Sequence, residues 1–92
     1  TGDFGVDLIA DKDGYTYAIQ CKCYGKPVGV SAIQEVYSGC IFYDCDYGIV
    51  ISNRNYTEAA NELAKSLGVT LYGRKWVIEA ISVYMRNYSK GW

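Results

Sequence analysis

Histidine is absent from this chain of 92 residues, and proline occurs once. The four cysteines stand as C-x-C (Cys21, Cys23) and C-x4-C (Cys40, Cys45), without the C-x2-C spacing common in zinc sites. A zinc-binding structural domain is therefore only a minor alternative. No apolar run approaches the roughly 20 residues of a membrane span, so no membrane association is expected. No secretory signal is visible, which argues against a disulfide scaffold and for a reduced, cytoplasmic setting. In that setting the cysteines read as small buried hydrophobes. Lys and Arg number 9 against 10 Asp and Glu, for a net charge of -1. There is thus no global basic field of the kind that advertises nucleic-acid binding, although local basic patches can coexist with a neutral total. Repeats, low-complexity tracts and linkers are also missing.

What remains is a chain 50% hydrophobic and 21% charged, the balance of a folded globular domain. Its length suits one small domain, 1–92, near the low end for an independent core. The central stretch is YTYAIQCKCY, from Tyr15 to Tyr24. It alternates as a strand should, with Tyr15, Tyr17, Ile19, Cys21 and Cys23 on one face. Thr16, Ala18, Gln20 and Lys22 take the other. A lysine on a buried face needs a partner, and Asp7 lies upstream in a second strand-like run, Gly5 to Ala10. The turn Asp11–Gly14 would fold the two runs into a hairpin. Asp7, Gln20 and Lys22 are then expected to converge. Asp3 reads as a turn residue, with an extra acidic group near a metal as the lesser alternative.

The rest of the chain alternates helix and strand. Ser31 starts a helix, with Gln34 at capping-box spacing, and Ile33, Val36, Tyr37 and Cys40 form its apolar stripe. Tyr47 to Ser52 reads as a buried strand. Ser52-Asn53-Arg54-Asn55 follows at its C-terminal end, where ligands gather in open α/β sheets; Arg54 is thus a candidate phosphate contact. Thr57 caps a helix to about Leu67, with Ala60, Leu63, Ala64 and Leu67 inward and Gly68 closing it. Val69 to Tyr72 is a short strand, and a last helix spans about Arg74 to Asn87 with Val77, Ala80, Ile81 and Tyr84 inward. Trp76, Met85 and Trp92 are left over; packing of these side chains against the sheet is expected.

An Asp-bearing strand, a hairpin and a strand carrying Gln-x-Lys resemble the PD-(D/E)xK nuclease superfamily. GDFGVDLIA followed by YAIQCKCY is most similar to the Mrr-like restriction endonuclease catalytic domains, in their Gln-x-Lys variant. The similarity continues through PVGVSAIQEVYSG, GIVISNRNYTEAA and LGVTLYGR, so it runs from Gly2 to Arg74. It implies a restriction-endonuclease-like α/β core: a mixed sheet with an N-terminal antiparallel hairpin, flanked by helices on both faces. In the superfamily a helix, which commonly supplies a Glu, precedes the Asp-bearing strand. That helix is missing here, so the core is read as N-terminally abbreviated and self-associating, as a homodimer, through a partly uncovered sheet face.

The resemblance implies a metal-dependent endonuclease that hydrolyses phosphodiester bonds of double-stranded DNA, of restriction type. Asp7 would be the anionic ligand of Mg2+, for which Mn2+ could substitute. Gln20 would offer a neutral carbonyl oxygen and Cys21 its backbone carbonyl. Lys22 would orient or deprotonate the water, or steady charge on the phosphate; a like-charged metal beside an ammonium lowers its pKa. Gln34 and Glu35 are candidates for lining the site, Glu35 as a stand-in for the missing upstream Glu. Arg54 and Lys26 are candidate DNA contacts. The plainer reading of Asp7 and Lys22 is a cross-strand ion pair, contributing ~0.2–1 kcal/mol. Two other functions compete: a non-catalytic DNA-binding or assembly module of the same fold, inactive as it stands, and a Holliday-junction-resolving nuclease.

Overall fold

The computed structural model describes residues 5–23 and 25–90, with side chains up to residue 87; Asp3 and Trp92 lie outside them. Seven elements follow in the order β1 (Leu8–Lys12), β2 (Tyr15–Lys22), α1 (Val30–Phe42), β3 (Tyr47–Ser52), α2 (Glu58–Leu67), β4 (Thr70–Tyr72) and α3 (Arg74–Lys90). The sheet order is β1-β2-β3-β4. β1 and β2 form an antiparallel hairpin, whereas β2, β3 and β4 run parallel. The α1 and α2 connections supply the crossovers that parallel neighbours require.

The alternation of β2 decides which face is dry. Ala18 and Gln20 are buried, and Gly48, Val50 and Ser52 of β3 share that side. α1 and α2 cover it, and Val6, Val28, Ile33, Val36, Ala60 and Ala64 fill the space between. α2 has the ends its sequence requests. Thr57 Oγ1 accepts from Ala60 N–H at 3.1 Å, and Gly68 takes the left-handed C-cap at φ 73°. The described residues cover the other sheet face thinly. Tyr72 meets Trp76 at the start of α3 with ring centroids 4.4 Å apart, but Leu8, Tyr15 and Tyr47 are exposed.

Several sequence expectations need correction. β1 begins at Leu8, not Gly5, because Gly5 has φ +69° and Asp7 turns its carboxylate onto β2. Val6 therefore enters the core, whereas Leu8 stays 56% exposed. α1 starts at Val30 with Gly29 as N-cap and no side-chain cap bond, so the Ser31–Gln34 capping box does not form. In α1 Tyr37 is exposed although Ile33, Val36 and Cys40 are buried. In α3 Val77 and Ala80 are half-buried, but Ile81 and Tyr84 face outward. Only Cys40 is a buried cysteine; Cys21 and Cys23 are exposed, and among the described residues no group of three or more Cys, Asp or Glu is placed to hold a metal.

Candidate active site

The ladder between β1 and β2 puts Asp7 beside the Gln20–Lys22 segment. Asp7 N–H donates to Ile19 O at 2.8 Å. Its Oδ2 then accepts from the Cys21 N–H at 2.8 Å, so a side chain replaces the next backbone acceptor. This fixes Asp7 against the strand that carries Gln-x-Lys. Gln20 and Lys22 project to the helix-covered face, where they meet Glu35 of α1.

Glu35 joins the two. Its Oε2 accepts from Gln20 Nε2 at 2.8 Å and from Lys22 Nζ at 3.1 Å. Lys22 and Glu35 side chains are 17% and 43% exposed, so the pair lies at the rim of the core. Desolvation would push the Glu35 carboxyl up, but the hydrogen bonds from Gln20 and Lys22, with the Lys22 charge, outweigh it and lower the pKa. Glu35 is therefore a carboxylate at neutral pH. Gly5 passes directly over this contact, and a Cβ there would lie 2.5 Å from Gln20 Nε2.

Gln20 is 1% exposed, and its Oε1 is buried with no hydrogen-bond partner among the described residues. A buried carbonyl oxygen left without a donor is costly, by about 1–3 kcal/mol. A divalent cation would satisfy it. The donor types fit a hard ion: a neutral amide oxygen, and the Asp7 carboxylate held against the neighbouring residue of the same strand. The Cys21 thiol does not compete as an anion, because desolvation first, and then the Asp7 and Cys23 charges, raise its pKa.

The remaining predicted residues fall around this centre. Gln34 is exposed on α1, one position from Glu35. Lys22 pairs in register with Ser52 of β3, so Arg54 lies just beyond the same sheet end. There the Arg54 N–H donates to the buried Ser52 Oγ at 3.1 Å. The loop that carries exposed Lys26 is strapped to the same end. Val28 N–H donates to Asn55 O, and Thr57 N–H to Val28 O, each at 2.9 Å. Sequence reasoning missed Gly5 as a site residue; its only signal was its place in Gly-Val-Asp.

A family model described as restriction endonuclease, the Mrr catalytic domain, matches residues 1–81. An uncharacterized protein of Archaeoglobus fulgidus is 29% identical over 73 residues, covering 74% of this chain and 42% of its own length. The crystal structure of AF1548, a protein of unknown function, superposes with a TM-score of 0.65 at 26% identity. That match covers 74% of this chain and 40% of the solved one. The chain thus spans about two fifths of the relatives it matches.

Proposed function

Because the chain belongs to the restriction endonuclease family of the Mrr catalytic type, we propose that it is a metal-dependent endonuclease core acting on double-stranded DNA. The observation that carries this reading is the buried Gln20 Oε1, without a hydrogen-bond partner among the described residues, on the strand that also carries Lys22 and is clamped to Asp7 through the Cys21 N–H. Asp7 and Gln20, with the Cys21 backbone carbonyl, would hold Mg2+ or Mn2+. The bound ion would supply Lewis acidity and a more acidic water. The chain's own groups do the rest. Asp7, clamped by the Cys21 N–H, keeps its second oxygen Oδ1 for the ion. Lys22 Nζ, held by Glu35, would donate to the non-bridging oxygens of the scissile phosphate. Its pairing with a carboxylate suits an ammonium donor better than the proton-accepting role expected from a neighbouring metal. Arg54 and Lys26, at the end of the sheet where Lys22 lies, would bind the flanking phosphates.

Nicking of supercoiled plasmid tests this. With Mg2+ or Mn2+ the wild type is expected to nick, and Lys22→Ala to lose at least ~100-fold in rate, the scale on which a transition-state charge partner acts. Equal cleavage by a folded Lys22→Ala protein would remove the site from the reaction. A second reading, a non-catalytic DNA-binding module, draws on the neutral Gln20 and on the lack of a three-member acidic or cysteine group among the described residues. It predicts DNA binding without any Mn2+ uptake. Restriction of foreign DNA, a homodimeric state and a cytoplasmic location are parts of the same proposal.

A further inference from the structure

We propose that Glu35 is a positioning residue, which decides whether Gln20 presents its oxygen or its nitrogen to the metal. The proposal rests on the metal-binding reading above. A glutamine amide has two ends of nearly the same shape, one an acceptor and the other a double donor. Only the oxygen end can ligate a cation; the NH2 end would repel it. In a strand the backbone does not choose between them, since rotation about the last torsion of the side chain exchanges the ends at little cost. A glutamine in place of an acid therefore brings a problem that a symmetric carboxylate does not have.

Glu35 resolves it. A carboxylate accepts hydrogen bonds and cannot donate them. Its Oε2 lies 2.8 Å from Gln20 Nε2, an arrangement that works only with the nitrogen on the Glu35 side. Reversed, two oxygens would face each other at that distance in a part-buried contact. Oε1 is consequently left on the far side, buried and without a partner among the described residues. The same Oε2 also takes the Lys22 ammonium at 3.1 Å, so one atom sets the ligand and the cation together. Three observations show that the device is held in place. Ala32, Ile33 and Val36 bury the adjacent faces of α1, so the helix cannot roll freely. Gln20 is buried, so it has no solvent alternative. Gly5 leaves just enough room over the bond, where any Cβ would overlap the Gln20 nitrogen.

The test compares wild type, Glu35→Gln, and the exchange variant Gln20→Glu with Glu35→Gln. An amide at position 35 can pair with either end of Gln20, so selection is lost. Calorimetric Mn2+ affinity is then expected to fall by about tenfold or more, the usual effect of losing an outer partner of a ligand. In the exchange variant donor and acceptor have traded places across the same hydrogen bond, and the carboxylate introduced on β2 offers oxygen at both ends. Affinity should return to at least the wild-type level. A readout without metal comes from the Gln20 side-chain amide by NMR. The wild type should show one protected NH2 pair, and Glu35→Gln should show lost protection or doubled signals. Unchanged Gln20 signals, or an exchange variant no tighter than Glu35→Gln, would overturn the proposal. Wild-type Mn2+ binding that Glu35→Gln leaves intact would overturn this proposal alone. A folded wild type that takes up no Mn2+ would overturn it together with the metal reading above.

Discussion

Gly5 holds a left-handed backbone at φ +69° above the hydrogen bond from Gln20 to Glu35. An alanine there meets two obstacles: the torsion disfavours any side chain, and its Cβ would stand 2.9 Å from Glu35 Oε2 as well as against Gln20. Gly5→Ala should therefore destabilise by about 1–3 kcal/mol, read as a lowered urea midpoint. Mn2+ affinity should fall in the same variant. Unchanged stability and affinity would show that this contact tolerates a side chain overhead. At this scale the strand alternation was enough to put Gln20 and Lys22 on one face and to name Asp7 as a neighbour. It could not choose between Gln34 and Glu35. These differ by one helical step, and their outlook depends on how α1 rolls against the sheet, which Ile33 and Val36 settle from below.

Among the elements, β3, α2 and the β1–β2 hairpin were legible because each carries a local cause. β3 has its apolar run, α2 its Thr57 cap and Gly68 terminus, and the hairpin its polar turn. The starts of β1 and α1 were not legible, because there a side chain or a glycine overrides the pattern: Asp7 reaches across to Cys21, and Gly29 serves as N-cap without a side-chain bond. Tyr56 is another long-range device. Its hydroxyl lies 3.1 Å from Val50 O and 3.0 Å from Tyr72 O, a shared donor joining β3 to the end of β4. Burial pushes its pKa up to about 12. Because the folded value exceeds the ordinary one of 10.0, this stabilisation is complete below pH 10.0 and is lost as pH rises through about 12. Tyr56→Phe should cost about 0.5–1.5 kcal/mol at neutral pH. That difference should shrink toward zero in alkaline urea titrations; a constant gap would contradict the assignment.

Among the described residues, one sheet face is packed and the other is sparsely covered. Leu8, Tyr15 and Tyr47 stay exposed on the open side, and α3 leaves Ile78, Ile81 and Tyr84 in solvent. Exposed large apolar side chains in this number favour association. Sedimentation should show weight growing with concentration in the micromolar range, and Leu8→Lys with Tyr47→Lys should suppress it; a concentration-independent monomer would refute this. The sequence by itself determined the composition class, the order of strands and helices, and the face that Gln20 shares with Lys22. Those features follow from periodicity and caps, which act over a few residues. The tertiary structure alone decided that Glu35 meets both of them and that Gly5 lies overhead. It also left Gln20 Oε1 without a partner among the described residues. Such contacts join positions 13 to 15 residues apart, and they exist only once α1 has docked on the sheet and fixed its roll.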